Sequence, residues 1–285
     1  MDLTIEGVEK LMSYVGEEGP SCLDLRDVRF ADPYGLLLLD LLIQDRSDRG
    51  EPMRVEWPTH PAVAGWMRAM GLRADLKGFG SRPSPKDAAL QPIAHIEDED
   101  EVIGLVNAFD ARLADRYPLD DSPRMTLVRV MIELFQNVPQ HSNATGEAKH
   151  PHGIAAMQDY DDGIVLAIAD KGVGMRASLN LRDDEPIDTD AAALDAGVLR
   201  GLSRFADPGR GQELMRIYKM VRSWDGRIAV RTGRALLTHD PVRGSEIHDV
   251  APFPGVQIAL SIPRRVFGLP EVDVDRDHVF NERDE

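Results

Sequence analysis

The longest apolar run in the 285-residue chain, Tyr34 to Ile43, is about ten residues long and is interrupted by Asp40. A membrane-spanning helix needs about twenty apolar residues. The run therefore reads as a helix buried in the core of a water-facing fold. Its neighbours fit that reading. Residues 4 to 16 carry Ile5, Val8, Leu11, Met12 and Val15 at three-to-four spacing, which predicts an amphipathic helix. Cys22-Leu23-Asp24-Leu25 and Arg54-Val55-Glu56-Trp57 read as strands, and Pro61 to Leu72 as a second amphipathic helix. Strands alternating with helices predict a parallel or mixed sheet.

Between Leu72 and Pro92 the pattern stops. Lys77-Gly78-Phe79-Gly80-Ser81-Arg82-Pro83-Ser84-Pro85 is rich in breakers and has no period, so the sequence divides into a unit at 1–75, a linker at 76–91 and a second unit at 92–264. The second unit predicts a strand at Ile93 to Ile96, a helix from Glu99 to Arg116 and another from Ser122 to His141. A hairpin follows, Gly153 to Gln158 and Gly163 to Ala169, turned at the acidic Asp159–Asp162 stretch. Met175 to Pro208 is long for a connection inside a domain and reads as a lid or binding loop. A helix at Gln212 to Trp224 and strands at Arg227 to Arg231 and Val256 to Ile262 complete the unit. Beyond it, 265–285 reads as an acidic, loosely held tail.

The net charge is −16, so a nucleic-acid backbone or an anionic membrane surface would meet repulsion. The single Cys22 excludes an intramolecular disulfide and a multi-cysteine zinc site. Met1-Asp2-Leu3-Thr4 lacks the basic stretch and apolar block of a secretory signal, and the expected address is the cytoplasm.

Glu133 and Asn137 lie one helical turn apart and project from the same face, with His141 continuing the row. Alone, such a row is a solvated helix face. The strand Ile164–Ala169 changes its meaning, because it ends at Asp170 and runs into Lys171-Gly172-Val173-Gly174. An acid at a strand end followed by two spaced glycines puts a fixed acceptor beside backbone that a flat ligand can approach. A third element, Gly209-Arg210-Gly211, opens the helix near Gln212, where backbone donors can face an anion.

In this order, Glu133-Leu134-Phe135-Gln136-Asn137, Asp170-Lys171-Gly172-Val173-Gly174, Gly209-Arg210-Gly211 and Pro254-Gly255-Val256 resemble the motifs of the GHKL ATPases, which include gyrase and the histidine kinases. The likeness covers about residues 92 to 264 and is nearest to the anti-sigma-factor kinase branch. It implies a Bergerat-type two-layer α/β sandwich with a mixed sheet that binds ATP and magnesium. Asn137 would hold the magnesium ion, and Glu133 would orient or deprotonate the attacking group. Asp170 would accept from the adenine amino group, Gly172 and Gly174 would admit base and ribose, and Gly209 and Gly211 would wrap the phosphates. The first unit, from Leu23-Asp24-Leu25 through Phe30-Ala31-Asp32-Pro33-Tyr34-Gly35-Leu36, resembles the STAS domains of anti-sigma-factor antagonists. Pro33 replaces the usual serine of that family, so its serine switch cannot operate here.

The resemblance implies an ATP-binding regulatory protein with a protein partner. It leaves three activities open: slow ATP hydrolysis, serine kinase action on a STAS partner, and a nucleotide-independent scaffold. Association with a second copy is compatible with each. Gln212 and Glu213 depart from the family pattern, and Glu213 brings negative charge near the expected phosphates. Val256 stands where a threonine is usual, and Pro139 interrupts the motif helix. Other signals are weaker. Gly172, Gly174 and Ala177 meet only a loose dinucleotide fingerprint, with no second parallel strand ending in an acid. His150 and His152 lack a third metal ligand, and His278 breaks the calcium-loop pattern begun by Asp273, Asp275 and Asp277.

Overall fold

The strand Gly163–Asp170 shows how the fold is layered, because its two faces differ in side-chain size. Ile164, Leu166 and Ile168 point to one side, and Ala167 and Ala169 to the other; all are buried. The computed structural model describes residues 2–15, 19, 21–72, 90–117, 121–142, 153–182, 186–204 and 212–269. It is a mixed α/β fold. In chain order the first part holds β1 (Asp2–Leu3), α1 (Ile5–Val15), β2 (Cys22–Asp24), β3 (Phe30–Ala31), α2 (Pro33–Asp48), β4 (Arg54–Glu56) and α3 (Pro61–Ala69). The second part begins with β5 (Leu90–Ile96), α4 (Glu99–Arg116), α5 (Asp121–His141), β6 (Gly153–Asp159) and β7 (Gly163–Asp170). It continues with α6 (Gly174–Leu179), α7 (Asp190–Leu194), α8 (Glu213–Ser223), β8 (Arg227–Asp240) and β9 (Gly244–Pro263).

The main sheet has the order β5-β6-β7-β9-β8, and every neighbouring pair is antiparallel. Its large-residue face, including Met157, Leu166, Ile168, Val230 and Leu260, packs against α4, α5 and α8. Its opposite face is lined by Ala156, Ala167, Ala169, Ala229 and Ala259, and these small residues leave room for α2. That explains why α2 is apolar all round: Leu36 to Leu39 and Leu41 to Ile43 are buried on every side. Each such side chain contributes roughly 1.5–3 kcal/mol of transfer free energy. Asp32 caps the helix by accepting from Gly35 N at 2.8 Å, and Pro33 takes the first turn, where no N–H is needed. Gly35 is required by packing, since a Cβ there would collide with the Leu3 backbone.

Several expectations change. The main sheet is antiparallel rather than mixed, and α1 and α2 of the first unit add a layer on the face opposite α4, α5 and α8. The parallel pairing expected of the first unit exists as two short ladders, β1 with β3 and β2 with β4. Helices α1 and α2 of the first unit share one apolar cluster with the back of the sheet. β5 starts before the expected Ile93 and carries an irregularity at Pro92, which an edge strand tolerates. The strands expected at 227–231 and 256–262 are parts of a much longer β8–β9 hairpin. The segment expected as a lid is largely folded: α6, α7 and a π-helical turn at Asp195–Leu199 pack inward, with Leu194 and Val198 in the main core. The chain also stays packed past Pro263, since Arg264–Phe267 forms a 3₁₀ turn whose buried Phe267 lies 4.7 Å from the Tyr117 ring. The linker core at 76–89 and the tail from 270 lie outside the described residues. Among the described residues no helix is long and apolar enough to cross a membrane.

Candidate functional site

Helix α5 continues through Pro139 to His141, so the row foreseen on it exists. Its last two turns form one wall of a cavity that opens to solvent, with Leu134, Asn137, Val138 and His141 facing the space. Glu133 does not line the cavity. It is half-buried beside α8, and burial raises its pKa, helped by the negative charge of Glu213 and opposed by Arg216 and Arg129. Glu213 does face the cavity and brings an acid to its lining.

The floor is the end of β7. Asp170 is buried and accepts from the backbone N–H of Gly172 at 2.7 Å and from that of Val256. Desolvation dominates those two donors and pushes its pKa up to about 7. Gly255 makes this packing feasible: it has φ +81, and a Cβ there would collide with the Asp170 carbonyl. Gln257 Nε2 donates to that same carbonyl at 2.8 Å.

The two glycines after Asp170 have different tasks. Gly174 lines the cavity with φ +78, a backbone shape that side chains resist, and a Cβ there would sit 3.0 Å from Thr232 Oγ1. Gly172 instead faces the end of α5, where a Cβ would collide with Ser142, and it is not among the cavity-lining residues. The bare Cα of Gly172 lets the loop dock on the end of the helix, and Val173 N donates to Ser142 O at 2.9 Å.

Thr232, Gln257 and Arg204 are parts of the site that the sequence reading missed. Thr232 lies across the ladder from Val256, accepts from Met175 N at 3.0 Å and donates to Gly255 O at 3.1 Å. Its hydroxyl fastens the glycine loop from the neighbouring strand; the polar Thr232 inside an apolar strand was the available signal. Arg204 brings a cation to the cavity wall and donates to Gln140 O at 2.7 Å, and no motif marks it. His141 pairs with Ser178 Oγ at 3.1 Å, and burial, with Arg204 nearby, lowers its pKa to about 4, so it is neutral at pH 7.

The site therefore joins a buried acceptor, apolar side chains of α5 and β9, and the polar side chains of Asn137, Glu213 and Arg204. Among the described residues no group of three or more His, Cys, Asp or Glu side chains could hold a metal ion by itself. Gly209 and Gly211 lie outside the described residues, as do His150, His152 and the Asp273–Asp277 run. No protein-family model matches the chain, and no curated protein matches it.

Proposed function

We propose that the chain is an ATP-binding regulatory protein of the GHKL kind, with a STAS-like N-terminal unit and a Bergerat-like second unit. The observation that carries the reading is Asp170. A carboxyl group held by two backbone N–H groups at the floor of a largely apolar cavity suits a flat base that offers an amino donor. Gly174 gives the base and sugar close access to backbone. Asn137 lies on the wall where the phosphates would leave the cavity. A single amide oxygen fits magnesium, which favours few protein ligands alongside phosphate oxygens and water. When bound, the ion would neutralise phosphate charge, with Asn137 as its protein contact.

Binding is better supported than turnover. Glu133 stands outside the cavity lining, half-buried, and the acid that does face the cavity, Glu213, is set where it would oppose phosphate charge. The regulatory reading is therefore preferred over a serine kinase, and the nucleotide would act by selecting a state of the neighbouring segment and its partner surface.

The deciding experiment is calorimetric titration of the whole chain with ATP and magnesium, alongside Asp170→Ala and an assay of released phosphate. Saturable binding in the wild type and a loss of at least about tenfold in the variant is the expected outcome. A folded wild type that takes up no nucleotide sinks the proposal and leaves a scaffold.

A further inference from the structure

Two polar links, each with its cation enclosed, cross from the N-terminal layer to the floor of the cavity. In the first, Glu9 on α1 accepts from Arg231 Nε on β8 at 2.9 Å. Arg231 has 0% exposure and reaches Gln257 Oε1 with Nη1 at 3.4 Å. Gln257, equally enclosed, donates through Nε2 to the carbonyls of Asp170 and Pro254, each at 2.8 Å. In the second link, Asp48 at the end of α2 accepts from Lys171 Nζ at 2.7 Å, with Asp45 at 4.0 Å. The Lys171 side chain is 3% exposed. The links start on different helices and end on consecutive residues, Asp170 and Lys171.

Adhesion between layers does not require such groups. Well-packed apolar side chains in place of a buried ion pair are often as stabilising or more so, whereas a charged pair with matching hydrogen bonds imposes one geometry. The surrounding interface is already apolar, built from the alanine face and the leucines of α2. The geometry imposed is that of the backbone at Asp170. Gln257 pins its carbonyl while Gly172 and Val256 pin its carboxylate, so the acceptor has little freedom to turn.

We infer that Gln257, Arg231 and Lys171 are positioning residues through which the N-terminal layer, by way of Glu9 and Asp48, sets the cavity's selectivity for a base with an exocyclic amino group. The inference rests on the nucleotide reading above. Its consequence is that base discrimination, unlike general affinity, depends on residues on the far side of the sheet from the ligand.

The test compares ATP with inosine triphosphate, which carries a carbonyl where adenine carries its amino group. Both are titrated with magnesium into the full chain, the wild type beside Gln257→Met, Asp48→Asn and the double variant Glu9→Met with Arg231→Met. The double variant removes both buried charges together, and Asp48→Asn leaves Asp45 beside Lys171, so the fold survives in at least these two; melting curves verify it. The expected result is that preference for ATP falls roughly tenfold, the size of one charge-assisted hydrogen bond, with inosine triphosphate affinity unchanged. Folded variants that keep the wild-type ratio, or lose both nucleotides equally, overturn the inference and leave the links as structural ties. A wild type that binds ATP without preferring it overturns the selectivity alone, while one that binds neither overturns the nucleotide reading beneath it.

Discussion

Asp170 is buried and Asp32 partly so, and desolvation raises the pKa of each from 3.8 to about 7. Between roughly pH 4 and 7 the folded protein therefore binds more protons than the unfolded chain, and each group's contribution to stability falls as pH rises through that window. Asn removes the ionisation while keeping an acceptor oxygen, and it caps a helix as well as Asp does. Asp32→Asn should melt higher than the wild type at pH 8, by up to a few kcal/mol of stability, with the gap closing toward pH 4. Asp170→Asn should show the same pH pattern yet lose ATP affinity, because its amide nitrogen would face the adenine amino group. Melting temperatures that differ from wild type by the same amount at pH 4 and 8 would show that neither carboxyl is perturbed as described.

At the scale of elements, the packing of α2 on the sheet depends on small residues. Ala167→Leu or Ala169→Leu inserts bulk between β7 and the helix, and overpacking of this kind costs about 1–3 kcal/mol. Urea unfolding should show the loss as a lower midpoint with an unchanged slope. A midpoint equal to that of the wild type would mean that α2 does not rest on that face. The elements also separate what was legible in the chain from what was not. Helices α1, α4 and α5 were readable because their apolar residues recur at helical spacing, and β6–β7 because two apolar runs flank an acidic turn. The outer half of the β8–β9 hairpin was hidden by Gly233, Pro241, Gly244, Pro252 and Gly255, which read as loop. In the structure Pro241 lies in the turn between the strands, and Gly233 and Gly255 lie beside register shifts of a continuous ladder.

For the whole molecule, the shared cluster of α1, α2 and the sheet back predicts one unfolding event. Calorimetry should give a single endotherm whose calorimetric and van't Hoff enthalpies agree. Two resolved endotherms would mean that the two units unfold independently. Removing residues 1–72 should do more than shorten the chain, because it bares the alanine face and leaves Arg231 and Lys171 without Glu9 and Asp48. Exposed apolar surface of that extent favours association, so the truncated chain is expected to aggregate, which light scattering would detect.

The local order of residues by itself determined most helices, the central hairpin and the candidacy of Asn137 and Asp170, because helical spacing and turn chemistry are short-range properties. It also marked Gly174 and Gly255, whose positive φ is a local demand of the backbone. Only the tertiary structure decided which way the sheet faces, that Gly172 docks against the end of α5, and that Thr232, Arg204 and Gln257 surround Asp170 and its cavity. Those roles depend on strand register and on contacts between residues as much as 87 positions apart, as with Gln257 and Asp170. The three-layer arrangement has the same origin. A helix buried on every side from Pro33 to Ile43 and a row of alanines are each ordinary alone, and their fit appears only when the sheet brings β6, β7, β8 and β9 side by side.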